Sequence, residues 1–213
     1  MKKNIMSMTM PMMAAQLIHL LYNIVDRMYI GRIPGVGVFA LTGVGLTFPV
    51  ITIINGFANL FGVGGSSLCS ISRGSCDIEG ARSLMQVSYS MLIATGIALT
   101  LICLSAMKPL LFAFGASAAT YPFASGYLYI YSLGTVFVMA GLGMNSFISS
   151  QGFGKTAMLT VLSGAVANIV LDPIFIFLLG MGVQGAAVAT VISQVLSAFL
   201  VLSFLSGKRP ILR

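Results

Sequence analysis

Long apolar stretches, each about as long as a bilayer is thick, alternate with short polar segments along this chain. A transmembrane helix needs about 20 consecutive apolar residues, and on that basis the pattern predicts six helices. Their approximate bounds are 5–29, 39–61, 84–107, 123–150, 157–179 and 185–206. We therefore expect an all-α fold, a polytopic bundle of six transmembrane helices that residues 1–213 form as one unit.

The composition supports a membrane location. Of the 213 residues, 58% are hydrophobic and only 7% are charged, whereas a soluble domain is about 25% charged. A surface this apolar is expected to face the lipid bilayer. The net charge of +7 is spread over short loops and forms no basic stripe with stacking aromatic residues, so no nucleic-acid partner is expected. The three cysteines match no metal-binding or disulfide spacing.

The basic residues also predict an orientation. Six spans place both termini on one side, and basic residues are enriched in cytoplasmic loops. Both termini are therefore expected in the cytoplasm, with the protein in the inner (plasma) membrane. One side would hold Lys2, Lys3, Arg73, Arg82, Lys155, Lys208, Arg209 and Arg213, and the other side would hold Arg27, Arg32 and Lys108.

Acidic residues are rare, and two of them stand within apolar segments. Asp77 and Glu79 share one polar loop, but Asp26 and Asp172 interrupt predicted helices. A carboxylate among membrane helices is energetically expensive, usually faces a polar interior and often marks an ion or substrate path. Asp77 and Glu79 have two interpretations, because they suit either the start of a helix, where the dipole favours anions, or a gating role.

Helical periodicity places further polar side chains beside these two acids. Residues three, four and seven positions before Asp26 lie on the same helix face as Asp26. The residue four positions before Asp172 likewise lies on the same face as Asp172. Thr190 in the sixth helix and two residues of the fourth helix add further polar groups. The candidate residues around the acids are Gln16, His19, Tyr22, Asn23, Tyr129, Asn145, Asn168 and Thr190.

Two carboxylates with amide and hydroxyl oxygens can bind a hard cation such as Na⁺, or can carry a proton because burial disfavours the charged form of a carboxyl group. The spacing leaves both roles open. It also leaves open an ion pair between Asp26 and Arg27, a purely structural hydrogen-bonding role for Asp172, and an interior His19 with satisfied hydrogen bonds. Pro173 lacks a backbone N–H and is expected to bend its helix; the same is expected of Pro11 in the first helix.

Several segments together resemble the multidrug and toxic compound extrusion (MATE) family, in its DinF-like branch. They are LYNIVDRMYIG at 21–31, GVGLTFP at 43–49, and NIVLDPIFIF at 168–177 followed by GVQGAA at 182–187. The resemblance implies a non-enzymatic antiporter that exports organic, often cationic, compounds, with H⁺ or Na⁺ as the coupling ion and no cofactor. It also implies a cation site formed by Asp26, Asn168, Asp172 and Thr190, with Pro11 as a helix-bending residue.

The resemblance further implies twelve helices in two lobes, of which this sequence covers the N-terminal one. A half-length or truncated form is therefore expected, whose partners are small organic substrates, the bilayer, and either a missing C-terminal lobe or a second half-chain. Two alternatives remain: a lipid-linked oligosaccharide flippase of related architecture, and a non-transporting membrane assembly partner. A membrane-embedded enzyme is not expected, since the single histidine excludes a zinc-binding His pair and no Gly-x-Ser-x-Gly motif occurs.

Overall fold

The computed structural model describes the backbone of residues 2–207, and the side chains of Met10 and of residues 13–207. These residues form seven α-helices and no strand. A π-helical turn, Ile174–Leu178, continues directly from the sixth helix. The helices are α1 (Lys2–Gly31), α2 (Gly37–Gly74), α3 (Ile78–Ser105), α4 (Met107–Ala113), α5 (Tyr121–Ser150), α6 (Gly154–Pro173) and α7 (Gly182–Leu205).

Five helices are long and apolar enough to cross a membrane, counted over the described residues. They are α2, α3, α5, α6 with its π-helical turn, and α7. The sequence predicts six spans, and the remaining long helix is α1, which has 30 residues. Its hydropathy is lowered by the polar side chains of Gln16, His19, Asn23 and Asp26.

Helix α2 is much longer than the predicted span of 39–61, because it continues to Gly74. The stretch 62–83 is predicted to be non-helical, since the second and third predicted spans end and begin on either side of it. In the structure Ser66 and Ser67 donate hydrogen bonds to the carbonyl of Val63, at 3.1 and 2.8 Å. Serine hydroxyls that bond to the preceding turn are compatible with a continuing helix, so these polar residues do not end α2.

The polar loop before α3 is correspondingly shorter than expected. Helix α3 begins at Ile78 rather than near residue 84, and Asp77 is its N-cap residue. The Asp77 carboxylate accepts a hydrogen bond of 2.8 Å from the backbone N–H of Gly80. Asp77 thus occupies the helix-start position that is one of the two interpretations of this loop. The short helix α4 was not predicted.

Helix α5 lies at the centre of the bundle and packs against α2, α3 and α7. The crossing of α2 and α5 is very close, since a Cβ added at Gly62 would lie 2.6 Å from the Cα of Gly143. Helix α1 packs chiefly against α6 and touches α2 little. Large apolar side chains such as Leu60 and Leu101 are exposed on the outside, where a bilayer would cover them.

Candidate functional site

A small cavity of about 90 Å³ lies inside the bundle, between α1, α2, α5, α6 and α7. Asp26, Asn168 and Thr190 line it, together with His19, Tyr22 and Asn23 from α1 and Asn145 from α5. This volume is enough for several waters or a partly hydrated small cation. The cavity therefore brings together polar residues that are far apart in sequence.

Asn168 is the hydrogen-bonding centre of the site. Its Nδ2 donates to Oδ1 of Asp172 at 3.1 Å and to Oγ1 of Thr190 at 3.4 Å. Asn168 and Asp172 are fully or almost fully buried, with 2% and 0% of their surfaces exposed. Helical spacing predicts the first contact, whereas the second depends on how α7 packs against α6. Asp172 does not itself line the cavity, because it lies behind Asn168.

Three buried oxygens at the site accept no hydrogen bond from the described part of the chain. They are Oδ1 of Asp26, Oδ1 of Asn168 and Oδ2 of Asp172. Buried polar groups nearly always have partners, so each exception needs an explanation. All three are oxygen acceptors, and Asp26 is buried with only 7% of its surface exposed. The set fits a proton or a hard cation that oxygen ligands can hold.

Among the described residues, no group of three or more His, Cys, Asp or Glu side chains could hold a metal ion. The donor set around Asn168 is instead two carboxylates, an amide and a hydroxyl. Such a set is typical of sites for a proton or an alkali cation rather than of a nitrogen- and sulfur-ligated transition metal.

The α1 wall of the cavity is held by local contacts. Asn23 Nδ2 donates to the His19 carbonyl at 2.7 Å and lies 3.3 Å from His19 Nδ1. The Tyr22 ring meets the His19 ring edge-on, at 4.9 Å between centroids. Gln194 Nε2 is 3.5 Å from the Tyr22 hydroxyl, so this tyrosine also links α1 to α7.

Arg27 makes an aromatic contact in the described structure. Its guanidinium carbon lies 5.0 Å from the centre of the Phe48 ring on α2, a cation–π geometry. The ion pair between Asp26 and Arg27, which the sequence leaves open, stays a prediction. Asp26 itself lines the cavity.

Two further expectations concern Tyr129 and the prolines. Tyr129 is 53% exposed and does not line the cavity. Tyr127 and Tyr131, two residues before and after it, line the cavity instead, because residues two apart on a helix point in very different directions. Pro173 is the last residue of α6 and is followed at once by the π-helical turn. The side chain of Pro11 lies outside the described residues.

Sequence reasoning missed several cavity residues. Asn55 on α2 and Gln194 on α7 line the cavity, although neither is near an acid in the sequence. A search for every amide within a predicted span would have found them. Gln16, predicted near the acids, lines a second and larger cavity beside the first, together with His19 and Asn145.

Comparison with known proteins identifies the family that has this architecture. A family model described as MatE matches residues 11–174. The multidrug export protein MepA of Staphylococcus saprophyticus is 30% identical over 204 residues, which cover 95% of this chain and 45% of that protein. MepA of Staphylococcus aureus is 31% identical over 206 residues, or 96% of this chain and 45% of that protein. A crystal structure of MATE in the bent conformation is 34% identical, with a TM-score of 0.90, and the match covers 98% of this chain and 46% of that one. The chain spans about half the length of the curated relatives it matches.

Proposed function

Because this chain belongs to the MatE family, we propose that it forms part of a cation-coupled antiporter that exports organic, often cationic, compounds. The curated relatives named above are multidrug export proteins. Export would be driven by inward movement of H⁺ or Na⁺ through the site at Asp26, Asn168, Asp172 and Thr190. We place the protein in the plasma membrane with both termini in the cytoplasm, as the distribution of basic residues favours.

The observation that carries this proposal is the set of buried oxygens without hydrogen-bond donors. A buried polar group without a partner destabilises the fold, and here Asp26, Asn168 and Asp172 each contribute one such oxygen. A bound proton or Na⁺ would supply the missing partner to oxygens on both α1 and α6. Binding would thus favour an arrangement in which α1 lies close to α6, and release would favour another.

Pro173 provides a place where α6 can respond. The proline has no backbone N–H, so the carbonyl of Ile169 lacks its usual helical donor. The π-helical turn that follows has a wider hydrogen-bonding pattern, and such turns are frequent at functional sites. Asp172 stands directly before this irregular segment, and a change in its hydrogen bonding would therefore act on the helix where it is least regular.

We also propose that the chain supplies the N-terminal lobe and works with a second lobe, either a C-terminal one or another half-chain. The support is that it spans about half the length of its relatives. This arrangement is also compatible with the alternative that the chain is a non-transporting membrane assembly partner. The flippase alternative has less support, because no Lys or Arg is among the described residues that line the 90 Å³ cavity.

Cation-dependent stability of the purified chain tests the site. Melting temperatures would be compared with and without Na⁺ and across a pH series, for the parent chain and for Asp26→Asn and Asp172→Asn. Asp77→Asn is the matched control, since Asp77 is an acid outside the cavity and asparagine is an equally good N-cap residue. We expect the control to keep the cation or pH response and both site variants to lose most of it. An unchanged response in Asp172→Asn would contradict the assignment.

Dye efflux from cells tests the transport proposal separately. Expression of this chain alone should give no efflux above background, and co-expression with a C-terminal lobe from a relative should restore it. Robust efflux by the purified single chain in vesicles would reject the need for a second lobe. Loss of efflux in Asp172→Asn with normal membrane insertion is the expected result for the coupling residue.

A further inference from the structure

A second cavity of about 440 Å³ lies between α1, α2, α5 and α6, on the side of the bundle away from Asp26. Its walls come from the middle of α1, the second half of α2, the end of α5 and the start of α6. These helix segments meet at one end of the bundle, where Arg73 near the end of α2 donates a 3.2 Å hydrogen bond to the carbonyl of Ser150 at the end of α5. We call this cavity the vestibule.

The vestibule is polar but carries no formal charge. Gln16, Asn55, Asn59, Asn145 and several serines line it, and none of its described lining residues is Asp, Glu, Lys or Arg. Gln16 and Asn59 are exposed. Amide groups that face hydrocarbon without a partner are strongly disfavoured, and the side chains of Gln16, Asn55 and Asn59 form no hydrogen bond with the described residues. Water that filled the cavity would satisfy all of them.

The vestibule and the acid-lined cavity share a wall. His19, Asn55, Leu142, Asn145 and Val161 line both, and we call this set the neck. Asn145 is fixed from one side, since Thr160 Oγ1 lies 3.4 Å from its Oδ1 and its Nδ2 lies 3.4 Å from the Ala157 carbonyl. Leu142 and Val161 add an apolar constriction from two facing helices.

The neck lies close to the acids. His19 precedes Asp26 by seven residues on one helix, a rise of about 10 Å at 1.5 Å per residue. A route from the vestibule through the neck would therefore reach the carboxylate within a few water diameters.

We propose that the vestibule is a water-filled passage between Asp26 and the side of the membrane where α1 begins, through which water enters and the coupling cation leaves the site. The neck is its constriction. This inference deepens the proposed function and rests on it for the identity of the cation. The water content of the vestibule can nevertheless be measured without any transport.

Cysteine labelling with a membrane-impermeant, charged thiosulfonate reagent measures that water content, because only a hydrated thiol ionises and reacts quickly. Native Cys69 and Cys103 are replaced by alanine. Cys76 is kept in a reference protein, since it is exposed in the loop between α2 and α3 and marks the membrane side at the vestibule end. Vesicles of both orientations are labelled.

The decisive comparison is between adjacent residues of α2 in a background without native cysteines. Asn59→Cys faces the vestibule, whereas Leu60→Cys is at the same depth and 61% exposed on the outer, apolar surface. We expect Asn59→Cys to react at least tenfold faster than Leu60→Cys, and from the same side as Cys76. Equal rates, or reaction only from the opposite side, would overturn the proposal.

The neck is tested by a deeper position. Asn23→Cys lines the acid-lined cavity and not the vestibule, so its labelling from the Cys76 side should be slower than that of Asn59→Cys and should fall further when Leu142→Trp fills the neck. Labelling of Asn23→Cys that is unaffected by Leu142→Trp would show that the passage does not run through the neck. An unchanged cation response in Asp172→Asn would contradict the site alone and would leave these labelling rates unchanged, so the two proposals can fail independently.

Discussion

The close crossing of α2 and α5 makes a quantitative prediction about Gly62. A Cβ at this position would lie 2.6 Å from the Cα and 2.7 Å from the carbonyl oxygen of Gly143. Carbon atoms normally approach no closer than about 3.5 Å, so the overlap is about 1 Å. Both nearest atoms belong to the backbone, which cannot rotate away as a side chain can. Gly62→Ala must therefore push the two helices apart.

The expected magnitude follows from two opposing effects. Overpacking of this kind costs about 1–3 kcal/mol, whereas alanine is favoured over glycine within a helix by up to about 1 kcal/mol. Gly64→Ala isolates the second effect, because nothing lies within 4 Å of a Cβ added at Gly64 two residues further along α2. The two variants should differ by about 1–3 kcal/mol, with Gly62→Ala the less stable. For a chain of this size that corresponds to roughly 2–12 °C in melting temperature.

Thermal unfolding of the detergent-solubilised chain, followed by loss of the monodisperse peak in size-exclusion chromatography, measures this difference. Gly143→Ala provides an intermediate case, because its added Cβ would meet the end of the Leu92 side chain, at 2.5 Å, and that group can move. We expect the order of stability to be Gly64→Ala, then Gly143→Ala, then Gly62→Ala. Equal melting temperatures for the Gly62 and Gly64 variants would refute the argument from helix contact.

Three further substitutions test other contacts. Thr190→Val removes a hydrogen-bond acceptor of the site. For a bond worth about 1 kcal/mol, the affinity for the cation should fall about fivefold, so the cation-dependent rise in melting temperature should be smaller. Thr190→Ser should retain this rise. Gly185→Ala would bring a Cβ within 2.6 Å of the Phe175 carbonyl, so it should destabilise the chain by about 1–3 kcal/mol and also reduce the cation response. Phe48→Leu removes the cation–π partner of Arg27 and should lower stability by about 0.5–1 kcal/mol without abolishing the cation response. Melting curves with and without cation distinguish these outcomes.

The acids of the site were predictable from sequence because they are exceptional in an apolar chain. The four-residue spacing of Asn168 and Asp172 places them on one helix face. The structure adds that Asn168 donates the hydrogen bond and Asp172 accepts it. Tyr129 does not line the small cavity, for a physical reason. Most of the α5 surface is buried, so hydrophobicity does not reveal which face of that helix meets the cavity, and alternate tyrosines appear equivalent.

Other features depend on packing that no local pattern records. The length of α2 follows from serines that bond to their own helix, and a count of apolar residues ends the span too early. The π-helical turn has a local cause in Pro173, but its close contact with α7 requires the absent side chain of Gly185. The vestibule needs Asn55 and Asn59 together with α5 and α6, and the four-residue spacing of these amides indicates a shared helix face but not which helices that face meets.

The bond between Arg73 and Ser150 and the crossing at Gly62 join α2 and α5 at two levels. Two attachment points along a pair of rods prevent both sliding and hinging between them. Helices α2 and α5 should therefore move together as one rigid unit. Because α1 makes few contacts with this pair of helices, a widening of the vestibule that admits more solvent requires α1 to move. Asp26 moves with it.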